Sequence, residues 1–183
     1  YTSSSSPLSA YAPVGSGCPA LKVDRTVGVV KAYSTCVGQG PFVGELFGEA
    51  GDALREAGQE YGAATGRPRR VAWIDLVATR YGVEVQGATN IAKLQAATEI
   101  VLTKLDVLSY LKEIPVCIAY RKANGEVTHD FPYTSELDGC EPVYDFLPGW
   151  DCDISGTRTY EELPEAARCY VERIEREIGC HIS

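Results

Sequence analysis

Two short β-branched runs, Ile100 to Lys104 and Pro115 to Tyr120, constrain this chain most. Each is apolar almost throughout and too short for a core helix, so both read as buried strands. Buried strands need helices to cover them, and helical patterns stand on either side. The clearest is the last. Leu163, Ala167, Tyr170, Val171, Ile174 and Ile178 form one stripe, with Pro164 in the first turn and Gly179 as the cap. Glu49 to Gln59 is a second helix, in which Ala50, Ala53, Leu54 and Ala57 share a face and Gly58 ends the run. Val23 to Thr35 reads as a buried helix through Val23, Val27, Val30 and Ala32, broken by the segment from Cys36 to Pro41. Val71 to Tyr81, with Trp73, Ile74, Val77 and Ala78, is a further helix. Asn124-Gly125 predicts a type I′ hairpin turn. Strands alternating with helices give an α/β chain.

The 183 residues suffice for one domain or for part of a larger one. No apolar run reaches the length of a membrane span, and the net charge of -8 argues against non-specific binding of nucleic acid. Cysteines number seven, an odd count without CxxC spacing, which disfavours a zinc site or a disulfide framework and predicts a reducing, cytosolic setting. The chain starts at Tyr1 and has no methionine, the expectation being a processed, trimmed or partial chain. Thr2 to Gly17 is rich in Ser, Pro, Gly and Ala and reads as a linker or ragged end. Gln86-Gly87-Ala88-Thr89-Asn90-Ile91-Ala92 is echoed by Gln95-Ala96-Ala97-Thr98-Glu99-Ile100-Val101, one short tandem duplication rather than a solenoid.

Two motifs carry chemistry. Gly62-Ala63-Ala64-Thr65-Gly66-Arg67-Pro68-Arg69-Arg70 gathers three arginines in a glycine- and proline-bounded loop within an acidic protein. Guanidinium forks bind carboxylate or phosphate, and amides beside glycine extend an anion site. A solvated basic turn is the competing reading. Thr103-Lys104-Leu105-Asp106 follows the run Ile100-Val101-Leu102, which places Lys104 and Asp106 at the carboxyl edge of a sheet. A carboxylate there can accept from the N1–H and exocyclic amine of guanine, a donor pair that adenine lacks. The alternative is a surface lysine and an N-cap aspartate. Asp75 and Asp145 read as capping or structural, and neither His129 nor His181 has a partner pattern for metal or nucleophilic work.

Together with Thr2-Ser3-Ser4, Val29 to Thr35, Val37-Gly38, Gly40-Pro41-Phe42, Trp73-Ile74-Asp75, Val107-Leu108 and Pro148-Gly149-Trp150, these blocks resemble the adenylosuccinate synthetase family from end to end of the chain. The resemblance is to the family's C-terminal portion and implies a partial P-loop-NTPase-like mixed sheet with flanking helices, 1–183 forming part of a single domain. It implies a GTP-dependent ligase that joins IMP to L-aspartate, with Mg2+ as cofactor, in a cytoplasmic homodimer that binds neither nucleic acid nor membrane. By the same resemblance Thr2 and Arg67 contact IMP. Ala63, Ala64, Thr65, Gly66, Arg67, Pro68 and Arg69 hold the aspartate carboxylates, and Arg69, Lys104, Leu105 and Asp106 bind GTP. Residues 1–20 become an irregular substrate-loop segment.

The resemblance also marks what differs. The family's phosphate loop, catalytic aspartate and histidine, and magnesium ligands match nothing here, nor does a glycine-rich loop beyond the last helix. Ala64 stands where a threonine is usual, Ala72 for a glycine and Cys36 for an arginine, and the 86–101 duplication is an insertion before the guanine turn. The isolated chain is therefore expected to be inactive. The alternatives are a non-catalytic guanine- or purine-nucleotide binding module, and a fragment with no autonomous function.

Overall fold

The density of β-branched residues decides the first element. In the computed structural model, which describes residues 8–86 and 97–183, short turns at Ser9–Tyr11 and α1 (Ala12–Gly15) precede β1 (Arg25–Lys31) and β2 (Ser34–Cys36). The helix expected over Val23 to Thr35 is thus two strands. Thr26, Val27, Val29 and Val30 stiffen the backbone towards β, and burial alternates along β1 with the period of a strand. The linker expected over Thr2 to Gly17 holds two helical turns in its described part.

The chain continues through α2 (Gly48–Gly58), β3 (Arg70–Ala72), β4 (Ile74–Asp75), α3 (Leu76–Val85), β5 (Ala97–Thr103), β6 (Glu113–Arg121), β7 (Val127–Thr128), α4 (Thr134–Leu137), β8 (Glu141–Pro148), α5 (Glu165–Ile178) and β9 (His181–Ile182). The helix expected over Val71 to Tyr81 starts only at Leu76, because Asp75 caps it: its Oδ1 accepts from the Ala78 amide at 3.0 Å. The turn at Asn124-Gly125 joins β6 to β7, but only Gly125 has positive φ, so it is not type I′. Lys122 closes the turn, its carbonyl accepting from Gly125 at 2.8 Å and its amide donating to Glu126 at 2.8 Å. Most of the 86–101 duplication lies outside the described residues.

The result is a mixed α/β fold. A parallel sheet runs β1-β5-β9, β2 pairs antiparallel with β3, and a mixed sheet joins β4, β6 and β7, with β8 also on β6. The last pair of the β1–β5 register is Lys31 with Thr103, so Lys31 and Lys104 leave the parallel sheet together at its carboxyl edge. α5 closes the core. Ala167, Tyr170 and Ile174 are fully buried, and the Tyr170 hydroxyl donates to the Ala32 carbonyl at 2.7 Å. The Trp150 ring meets Tyr170 edge-on at 5.8 Å, and its Nε1 donates to Ser109 Oγ at 3.1 Å.

Two predictions follow from this packing. The Gly149 amide donates to the Lys112 carbonyl at 2.8 Å, and a Cβ at this position would overlap the Leu111 carbonyl. Gly149→Ala should therefore lower the urea-unfolding free energy by about 1–3 kcal/mol, whereas Gly82→Ala on α3, where a Cβ meets nothing within 4 Å, should not lower it. The second concerns Asp75, whose Oδ2 accepts from the buried Tyr120 hydroxyl. Burial raises its pKa, against the opposing hydrogen bonds of Tyr120 and of the Ala78 and Val77 amides. Above the ordinary aspartate pKa the unfolded chain loses this proton first, so Asp75 lowers stability as pH rises towards its folded value. The stability of Asp75→Asn relative to the parent should accordingly improve across that window, by at most about 1.4 kcal/mol per pH unit, in urea titrations at stepped pH.

Candidate nucleotide and anion site

α2 ends where the chain must reverse. Gln59 adopts a left-handed conformation (φ 52°, ψ 45°) as the C-cap, which drops Glu60 into the core at 1% exposure. A buried carboxylate is costly unless it is paired, and this one is surrounded by donors. Its Oε1 accepts from Lys31 Nζ at 2.7 Å and from the Tyr33 hydroxyl at 2.6 Å, and its Oε2 accepts from Arg69 Nη1 at 3.0 Å. Lys104 Nζ stands 3.8 Å from Oε1 and donates to the Gly58 carbonyl at 2.7 Å. Burial alone would raise the Glu60 pKa. The hydrogen bonds from Lys31 and Tyr33 and the charges of Lys31 and Lys104 outweigh it and hold the group below the usual glutamate value. Tyr33 is pushed well above an ordinary phenol, first by burial and then by its bond to Glu60 and the charges of Glu60 and Asp106, with Arg69 opposing.

After Glu60 the chain forms the arginine loop. Tyr61 and Pro68 make an antiparallel bridge, the Gly62 amide donates to the Arg67 carbonyl at 2.8 Å, and Gly66, at φ +64°, donates back to Gly62 at 2.7 Å. The Arg67 amide donates to Thr65 Oγ1 at 3.4 Å. Ala63, Ala64, Thr65, Gly66, Arg67 and Pro68 are all exposed at the tip, so the Arg67 guanidinium is presented to solvent while Arg69 turns inward. Arg70 serves the scaffold instead. It binds Glu45 at 2.6 Å and the Gly40 carbonyl at 2.9 Å, and it lies over the Phe42 ring at 5.3 Å.

The second motif follows β5. Lys104 is left-handed (φ 60°, ψ 31°), a conformation that costs a non-glycine residue about 1 kcal/mol and is held here by the bonds of its side chain. It turns the chain into a short 3-10 segment, Leu105–Leu108. Asp106 is exposed and does not cap that segment, and its carboxylate accepts no hydrogen bond from the described residues. The N-cap alternative is therefore not what the structure has. Lys104, Leu105 and Asp106 line a cavity of about 470 Å³ with Ser155, Arg158 and Tyr160 from the segment before α5.

Arg69 and Lys104, far apart in sequence, thus meet on one carboxylate. The Arg67 tip does not line the cavity beside Asp106, and the link between loop and turn runs through Glu60. Thr2 lies outside the described residues. Lys31, Tyr33, Glu60 and the 154–163 wall were not found from sequence as site residues. The one available signal was the lone acid two residues before the arginine-rich loop. Asp145 is structural, pairing with Arg173 at 3.0 Å. No disulfide joins the cysteines, and no helix among the described residues is long and apolar enough to cross a membrane.

The sequence profile of adenylosuccinate synthetase matches residues 1–183. The adenylosuccinate synthetase of Lactococcus lactis subsp. cremoris is 46% identical over 184 residues, covering 100% of this chain and 41% of the relative. That of Bifidobacterium adolescentis is 48% identical over the same length, with the same coverage. A solved structure described as fully ligated adenylosuccinate synthetase from Plasmodium falciparum superimposes with a TM-score of 0.75 at 40% identity, covering 85% of this chain and 36% of that one. The chain spans about two fifths of the length of these relatives. By its full-length profile match and its sequence identity, this chain belongs to the adenylosuccinate synthetase family.

Proposed function

We propose that this chain is the C-terminal, guanine-reading and anion-gripping portion of a ligase that couples GTP hydrolysis to the joining of IMP and L-aspartate. The observation that carries the reading is the convergence of Arg69 and Lys104 on Glu60 beside an exposed, unengaged Asp106. In this reading Asp106 accepts from the guanine N1–H and amine, the Lys104 stem lies along the base, and Leu105 supplies apolar contact. The loop from Ala63 to Arg69 takes the carboxylates of aspartate, its exposed amides and the Arg67 fork pointing outward. Arg67 and Thr2 contact IMP, and Arg69 also reaches the nucleotide. The chain's contribution is orientation and charge neutralisation, which dominate phosphoryl-transfer catalysis.

Mg2+ is the cofactor of the family as a whole, and when bound it would neutralise phosphate charge. The residues present do not fit it. Among the described residues no group of three or more His, Cys, Asp or Glu side chains is placed to hold a metal. Glu60 is already engaged by Lys31, Tyr33 and Arg69. A cytoplasmic setting is supported by an odd number of cysteines without CxxC spacing, and a homodimer by family membership alone.

Two measurements test the reading. Calorimetry on the 183-residue chain should give tighter binding of GDP than of ADP. Asp106→Asn, which sets an amide donor against the donors of guanine, should weaken GDP about 10- to 100-fold and leave ADP unchanged. Equal affinity for the two bases would remove the guanine assignment and with it the alternative of a stand-alone guanine module. In a steady-state assay with GTP, IMP, aspartate and Mg2+ the isolated chain should form no adenylosuccinate, and turnover would overturn the division of labour proposed here.

A further inference from the structure

We propose that Glu60 is a positioning residue that couples the arginine loop to the base-reading turn, so that a ligand on one alters the electrostatics of the other. The proposal deepens the functional reading above and rests on it for the identity of the ligands, though not for the coupling itself. Glu60 touches no solvent-facing ligand surface, being 1% exposed, and acts only through its neighbours. Four donors reach it or its edge from separate parts of the chain: Lys31 from the end of β1, Tyr33 from the β1–β2 connection, Arg69 from the loop and Lys104 from the turn after β5. Its main chain joins the loop as well, the Glu60 carbonyl accepting from the Arg69 amide at 2.9 Å.

Three cations share a single negative charge. If an anionic ligand draws the Arg69 guanidinium outward, Oε2 loses its partner, and the carboxylate's full charge falls on Lys31, Lys104 and the Tyr33 hydroxyl. In a buried setting that redistribution is only weakly screened. Lys104 responds most directly at the base site, because its side chain is 40% exposed while its ammonium is tied to the Gly58 carbonyl and drawn to Glu60. The isolated hydrogen bonds of a scaffold would hold each residue separately. A shared carboxylate makes the setting of one cation depend on the others.

The test measures Lys104 directly, by the rate of its acetylation in the ligand-free 183-residue chain, followed by peptide mass spectrometry. Glu60→Gln should speed acetylation of Lys104 several-fold, since the amine is no longer drawn towards a carboxylate 3.8 Å away. Arg69→Ala should slow it at least twofold in the Glu60 background and leave it unchanged in the E60Q background. A change by the same factor in both backgrounds, or in neither, would overturn the coupling. Should E60Q fail to fold by circular dichroism, Glu60→Asp replaces it, drawing the charge back by one methylene. The Arg69→Ala effect should then shrink by at least half, and an undiminished effect refutes the proposal. Calorimetry on Arg69→Ala separates the two claims. A reduced GDP-over-ADP preference supports the coupling at the base site, and a preference equal to the parent's counts against it. A parent chain that binds neither nucleotide sinks the guanine reading, while the lysine rates still decide the coupling.

Discussion

A carboxylate taken out of water organises the carboxyl edge of the parallel sheet and the arginine loop beside it. Glu60 would destabilise the fold if it were left alone, and removing a partner from a buried ion pair typically costs about 3–5 kcal/mol. The fold supplies Lys31, Tyr33 and Arg69 at hydrogen-bond distance and Lys104 just beyond. Satisfying this one side chain therefore requires β1, the β1–β2 connection, the arginine loop and the end of β5 to be in place together. No buried side-chain polar atom among the described residues lacks a partner, so the arrangement is closed rather than strained by omission.

The position of this cluster follows from strand direction. β1 and β5 run parallel and finish side by side at Lys31 and Thr103, and the residues just past them leave at the carboxyl edge, where open α/β sheets bind ligands. The left-handed backbone of Lys104 is a local cost at the same place. A glycine would relieve it but would forfeit the bonds to the Gly58 carbonyl and the pull of Glu60. The backbone accepts the strain because the side chain is needed there.

Sequence legibility followed the range of the interactions. The stripe of α5, the helix ending at Gly58 and the runs of β5 and β6 are local patterns, and each became the expected element. Val23 to Thr35 misled because valines at positions 23, 27 and 30 fit a helical face, while in the fold the more exposed Val27 and Val29 alternate with Thr26, Gly28 and Val30 as in a strand. Val71 to Tyr81 was half right, since the Asp75 cap starts its helix five residues late. Within the site, Lys104, Asp106 and the arginine loop were legible as charged residues beside turns. Glu60 was not. Nothing local distinguishes a glutamate that will be buried, and three of its partners lie 9, 27 and 29 residues away.

Three acids in this chain show how environment divides roles among identical chemical groups. Asp75 is buried against Tyr120 and the first turn of α3, where desolvation raises its pKa and its oxygens are committed. Glu60 is also buried, but its cations more than offset desolvation and keep it charged. Both are buried and engaged within the fold, so neither presents its carboxylate to a ligand. Asp106 is different. Its backbone is fixed by the turn that Lys104 starts, its side chain is exposed at the cavity, and it accepts nothing from the described residues. A carboxylate held in place by its main chain yet left without partners discriminates by what it can accept. A ligand edge with two adjacent donors satisfies it, and an edge offering an acceptor there replaces water with repulsion. Under the proposed reading, base discrimination would rest on the scaffold's leaving Asp106 unengaged at the cavity while it pairs Glu60 and Asp75 within the fold.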